Sequence, residues 1–260
     1  MPGLEEILRG IFNAVTGFFK LGGFSTFQTI GTIGVVIAAI YSVMFYLGYD
    51  IKFSPRLGIV KYHQYWGSKA LALGAISFAL RVVLEVAGAA IVLVPGFMAL
   101  KLSFLFTGTL PALFGVPAVL GVGLGGLVSD IFTGKFNPAS LGYFYWGIVS
   151  YHILYRFYGH DPSLTNLRSW VMYTLGWWVW GIGANLLWPA IIVLNGLMPL
   201  EVAWTAYAGV VFLMILAFYF IDMPFLPFFY RIVKRWGLFW RDIPGYYSYE
   251  YVFPKVSAET

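Results

Sequence analysis

The chain has 260 residues, 60% of them hydrophobic and 10% charged, and its mean hydropathy of +0.80 lies well outside the range of soluble domains. The formal charge of +5 comes with no basic run of the nucleic-acid-binding kind, and in a bilayer protein lysine and arginine report topology first. The absence of cysteine excludes disulfides, iron–sulfur ligation and thiol catalysis, and three histidines, His63, His152 and His160, leave little room for metal chemistry.

Residues 4–21 place Leu4, Ile7, Leu8, Ile11, Phe12, Val15, Phe18 and Phe19 at helical spacing, with Glu5, Glu6, Arg9 and Asn13 opposite. This pattern predicts an amphipathic interfacial helix within residues 1–25. Its acidic start, MPGLEEILRG, is the wrong charge for a cleavable signal. A first span is expected from Thr26 to Tyr49, stopped by Asp50, Pro55 and Arg56, and a cytoplasmic loop completes the unit 26–67. The second span, Lys69 to Val94, carries Arg81 and Glu85 at i, i+4, where opposite charges meet on one helix face.

The loop VPGFMALK then leads into LKLSFLFTGTLPALFGVPAVLGVGLGGLVSD, an apolar run broken by Pro and Gly. Broken backbone at membrane depth is tolerated where it faces protein or a water-filled cavity, so function is expected near it. It predicts a third span from Leu102 to Phe114, a break at Gly115 and Pro117, and a fourth span from Ala118 to Phe132. Further spans are expected at Pro138 to Tyr158, Leu167 to Ile192 and Glu201 to Asp222, closing a six-helix core over 68–222. The aromatic and basic tail, 223–260, is expected along the membrane surface. The fold class is therefore an all-α polytopic membrane protein of about seven transmembrane helices. With the N-terminus outside and the C-terminus inside, Lys52, Arg56, Lys61, Lys69, Arg156, Arg168, Arg231, Lys234, Arg235, Arg241 and Lys255 fall inside. Arg9, Lys20, Lys101 and Lys135 then fall outside.

Candidate chemistry is sparse. His152, in SYHILYRFYGH, lacks a second histidine at matching depth for haem, and neither a zinc partner at i+3 or i+4 nor an HExxH is present. A hydrogen-bonded structural histidine is expected. Asp130 has no second intramembrane aspartate for an aspartyl protease and reads as a helix-end or gate residue, and Ser140 and Ser150 have no nucleophile elbow. No catalytic residue, metal site or cofactor is therefore expected, and the chain is not expected to be an enzyme. Small residues at Ala70/Gly74 and Ala75/Ala79, and again at Gly121/Gly125, permit close helix approach.

The run from Ala70 to Asp130, ALALGAISFALRVVLEV, a short loop and then KLSFLFTGTLPALFGVPAVLGVGLGGLVSD, resembles the first three helices of the substrate-binding S components of energy-coupling factor (ECF) transporters, the riboflavin type most closely. The resemblance implies six helices with both ends cytoplasmic, a docking face at Ala70, Gly74, Ala75 and Ala79, and a loop, Pro95 to Lys101, covering a vitamin site. By topology the outer loops would add Asn137, Asn195 and Glu201 to Lys101 as polar contacts. Ser103 and Phe106 stand where the riboflavin-like pattern has acidic residues, and the extra N-terminal helix and long tail depart from the family.

The expected function is capture of a small vitamin-like or hydrophobic solute at the outer face of a prokaryotic-type cytoplasmic membrane. Its partners would be a coupling protein and ATPases, since the chain has no Walker A sequence of its own. The alternative is a non-catalytic subunit of a larger respiratory, photosynthetic or oxygenase complex, held by neighbouring membrane subunits. Neither reading involves nucleic acid.

Overall fold

The computed structural model describes residues 3–53, 57–94 and 98–253. It is mostly helical, and among the described residues four helices are long and apolar enough to cross a membrane. Helix α1 (Leu4–Gly22) carries Glu5 and Glu6 in its first turn and Lys20 in its last, the arrangement that complements the helix dipole. Gly23, at φ 78°, turns the chain directly into α2 (Phe24–Tyr46). Phe19 packs edge-on against Phe27 at 4.8 Å and against Trp204 at 5.3 Å, pinning α1 to the bundle.

The first expected span ran to Tyr49, but α2 stops at Tyr46 and the chain enters a strand, β1 (Tyr49–Lys52), followed by β2 (Gly58–Gln64). Of the residues expected to end that span, Pro55 and Arg56 lie outside the described residues. Helix α3 (Ser68–Gly88) ends six residues before the expected boundary at Val94, because Gly88 is crowded by the Leu100 carbonyl and the chain folds back. The return is a short hairpin, β3 (Val92–Val94) with β4 (Met98–Ala99), closed by the Leu100 amide donating to the Ile91 carbonyl at 2.7 Å. In the expected covering loop, residues 95–97 lie outside the described residues.

The expected third span is two pieces, α4 (Phe104–Thr107) and α5 (Thr109–Phe114). Pro111 explains the division, since its ring clashes with the carbonyl four residues back, at Thr107. Gly115 then adopts φ 69°, a left-handed turn, and Pro117 sits in the first turn of α6 (Val116–Phe132). The expected fifth span is likewise divided: Asn137 caps a 3-10 helix over Pro138–Phe144, and α7 (Trp146–Tyr158) follows. Helix α8 (Leu167–Leu194) is capped by Asn166. The short α9 (Leu200–Val202) passes through a π-helical turn, Ala203–Tyr207, into α10 (Ala208–Arg235).

The tail departs most from expectation. Helix α10 continues well beyond Asp222, and β5 (Tyr247–Phe253) pairs antiparallel with β2 in a sheet ordered β1-β2-β5. The expected units 26–67 and 223–260 are therefore joined by backbone hydrogen bonds, and residues 254–260 lie outside the described residues. The all-α expectation is amended by this sheet and the β3–β4 hairpin, which stand at opposite ends of α3.

The closest helix packing is between α3 and α6. A Cβ on Gly121 would overlap the Gly74 carbonyl, and one on Gly125 would stand 2.8 Å from Arg81 Cβ. Small residues here bring the backbones together. Gly121→Val should therefore lower the unfolding midpoint in detergent, at a cost of about 1–3 kcal/mol or more for overpacking. Gly17→Ala, where nothing stands within 4 Å, should not lower it.

Candidate solute-binding site

Arg81 and Glu85 are both buried, and they meet as the i, i+4 spacing predicts, with Arg81 Nη2 at 2.8 Å from Glu85 Oε1. The pair is not self-sufficient. Lys101 Nζ lies 3.1 Å from Glu85 Oε2, and Ser103 Oγ donates to Glu85 Oε1 at 2.5 Å. One carboxylate thus ties α3 to the segment that follows β4. Buried charge is stable only when paired and hydrogen-bonded in this way. Burial works against the Lys101 ammonium, yet the Glu85 carboxylate holds its pKa well above the ordinary lysine value. Arg81 also faces aromatic rings, its guanidinium carbon 5.7 Å from the Tyr151 centroid and 6.0 Å from that of Tyr143.

Above this network a cavity of about 380 Å³ opens at the hairpin end of the bundle. Its mouth carries Lys101, Asp130, Lys135 and Asn137. Ser140 Oγ donates to Asp130 Oδ2 at 2.7 Å, and the Asn137 amide is fixed by donating to the Lys135 carbonyl and accepting from the Ala139 amide, both at 2.9 Å. Burial and the neighbouring Lys101 lower the Lys135 pKa. Deeper, the walls are rings: Tyr143 stands against Trp188 at 5.1 Å, and Phe104 against Trp180 at 5.3 Å, with Trp146 and Tyr207 completing the surface. Apolar walls with a few fixed polar groups at one end suit a small amphiphilic or flat solute.

Of the polar residues expected at the site, Lys101 and Asn137 come together at this cavity. Asn195 and Glu201 do not line it. Asn195 is exposed beyond the end of α8, bonded back to the Ile191 carbonyl at 2.8 Å, and Glu201 is exposed in the first turn of α9. The sequence signal for Arg81 and Asp130 was present, and Ser140 lies ten residues after Asp130 without a motif to mark it; Trp180, Trp188 and Tyr207 come from segments distant in sequence, and only the high aromatic content hinted at them. The small-residue stripe divides. Ala70 is buried and Gly74 abuts Pro117, so both serve the fold's own packing, while Ala75 and Ala79 face outward.

A second polar cluster lies at the sheet end. Tyr41 donates to Asp50 Oδ1 at 2.6 Å and contacts His152 Nδ1 at 2.8 Å, and Arg156 Nη1 reaches the same Asp50 oxygen at 2.7 Å. His152 is thus hydrogen-bonded and enclosed, as expected. Among the described residues no three His, Asp or Glu side chains gather in metal-binding fashion. No family model, curated protein or solved structure matches this chain.

Glu85→Gln leaves the buried Arg81 and the partly buried Lys101 without the carboxylate they share. It should cost about 3–5 kcal/mol, read as a lower unfolding midpoint, and adding Arg81→Met to the same chain should recover part of that loss.

Proposed function

We propose that the chain is the solute-capturing membrane component of a transporter, of the S-component type, spanning a prokaryotic cytoplasmic membrane seven times with its N-terminus outside. One observation carries the reading: the cavity that gathers Lys101 and Asn137 opens at the end of α3 where the β3–β4 hairpin returns. The short pieces α4, α6 and α7 suit it, because each gives residues to the cavity and broken helices at membrane depth are stable where they wall a cavity or face protein. In this orientation the cavity faces outward and the sheet inward, in keeping with the basic residues that cluster on the sheet side. The ligand is a small solute with a flat apolar body and an anionic or polar end. The body lies among Trp146, Trp180 and Trp188, and the end meets Lys101 and Asn137. Energised release falls to partner subunits, a coupling protein and ATPases, with the exposed Ala75 and Ala79 left to meet them.

A second reading, a non-catalytic subunit of a larger membrane complex, is favoured by a different observation. Strand β5 is a sheet edge, and its end exposes Phe253 at 68% and Val252 at 39%, a surface suited to strand addition or apolar docking. Native mass measurement separates the two: stable pigment- or haem-bearing partners would support this reading and count against the first.

Titration of the purified protein with a vitamin panel, followed by quenching of tryptophan fluorescence, should find a ligand at micromolar concentration. Lys101→Ala should weaken that ligand about tenfold, the loss of one charge-assisted hydrogen bond, while Glu201→Ala leaves it unchanged. A panel without any binder would overturn the reading.

A further inference from the structure

A larger cavity, about 1360 Å³, opens at the sheet end between α2, α7, α8 and the segment leading into β5. Its two halves differ chemically. One half is apolar, walled by Gly34, Ile37 and Ala38 of α2, Val149 and Ile153 of α7, and Leu187 of α8, with Ile37 exposed so that this half opens sideways. The mouth carries Lys52, Arg156, Arg168 and Arg241, brought from β1, α7, α8 and the 3-10 turn Trp240–Asp242.

Three of these cations are held in place. Arg241 Nη1 donates to the His160 carbonyl at 2.9 Å, and Lys52 Nζ stands 4.5 Å from the centre of the Tyr249 ring. Arg156 is paired with Asp50, but that carboxylate is buried and shared with Tyr41. Positive charge therefore remains in excess at the mouth. His160 registers it: burial and then Arg241, Lys52, Arg156 and Arg168 lower its pKa to about 4.

The chemistry of the two halves points to the occupant. Along α2 the lining runs from Gly34 to Tyr41, about 10 Å at 1.5 Å per residue, which fits within one leaflet of a hydrocarbon core of about 30 Å. A free phosphate would leave the apolar half unfilled. A zwitterionic lipid would leave the cations unneutralised. Basic pockets between membrane helices are the recognised setting for anionic headgroups. We propose that this cleft binds an anionic phospholipid from the leaflet on the sheet side, its phosphate between Lys52, Arg168 and Arg241 and an acyl chain along the α2–α7–α8 groove.

The test uses the full chain, delipidated in detergent and offered short-chain phosphatidylglycerol, the matching phosphatidylcholine, or inorganic phosphate. Native mass spectrometry should show phosphatidylglycerol retained about tenfold or more over phosphatidylcholine. The His160 imidazole resonances should titrate at higher pH when it binds. Arg168→Gln with Arg241→Gln changes exposed side chains and should abolish the preference without loss of fold. Ile37→Trp, crowding the groove, should reduce lipid retention while leaving the lipid-free His160 titration unchanged. Equal retention of the two lipids, an unaltered preference in the double variant, or a His160 shift produced as fully by inorganic phosphate would each overturn the proposal.

Discussion

A carboxylate at membrane depth has no water to hydrate it, so something in the protein must. Glu85 meets that demand by drawing on both sides of a chain reversal, with Arg81 one turn back on α3 and Lys101 and Ser103 beyond the β3–β4 hairpin. The geometry of the hairpin end follows from this single group. The strands are too short to fix the return of the chain by backbone pairing alone. The ion network supplies the missing constraint and sets where Lys101, and so the mouth of the smaller cavity, stands. Gly125 contributes from the other side, since it leaves room for the Arg81 stem to lie flat against α6.

Much of the helical order was legible. Apolar runs interrupted by Gly115, Pro117 and the acidic or basic helix ends mark segments whose chemistry is local, and those segments are helical in the structure. What escaped is what depends on distant partners. The residues Tyr247, Ser248, Tyr249, Glu250 and Tyr251 alternate ring and polar side chains, a strand signal in hindsight. Read alone, such a stretch is equally a membrane-surface tail; Lys61 opposite Glu250 and Tyr62 opposite Tyr249 make it a strand. Proline was read too gently as well, with Pro111 dividing a helix that hydropathy treats as continuous.

The candidate site shows the same division. Lys101 could be chosen because it stands at the start of the broken segment, and Asn137, chosen by topology like Asn195 and Glu201, reaches the cavity because it caps the 3-10 helix that follows α6. Topology alone does not bring the other two in: the Asn195 side chain donates back to the Ile191 carbonyl, and Glu201 stays exposed in the first turn of α9. Ser140 and the wall of tryptophans carry no motif, since an aromatic side chain in a membrane helix looks alike whether it meets lipid, a neighbouring helix or a cavity. Trp146 borders both cavities.

The pairing of β5 with β2 also has a temporal side. Val60 lies opposite Tyr251, so the sheet joins an early part of the chain to nearly its last described residues. Membrane helices insert first and pack afterwards, which leaves α2 in the bilayer, its α7–α8 flank unsealed, throughout synthesis of the remainder. The roof over the large cleft is laid down only when the tail arrives. During assembly the cleft therefore lies open on its tail side as well as along α2, where Ile37 stays 61% exposed in the finished fold.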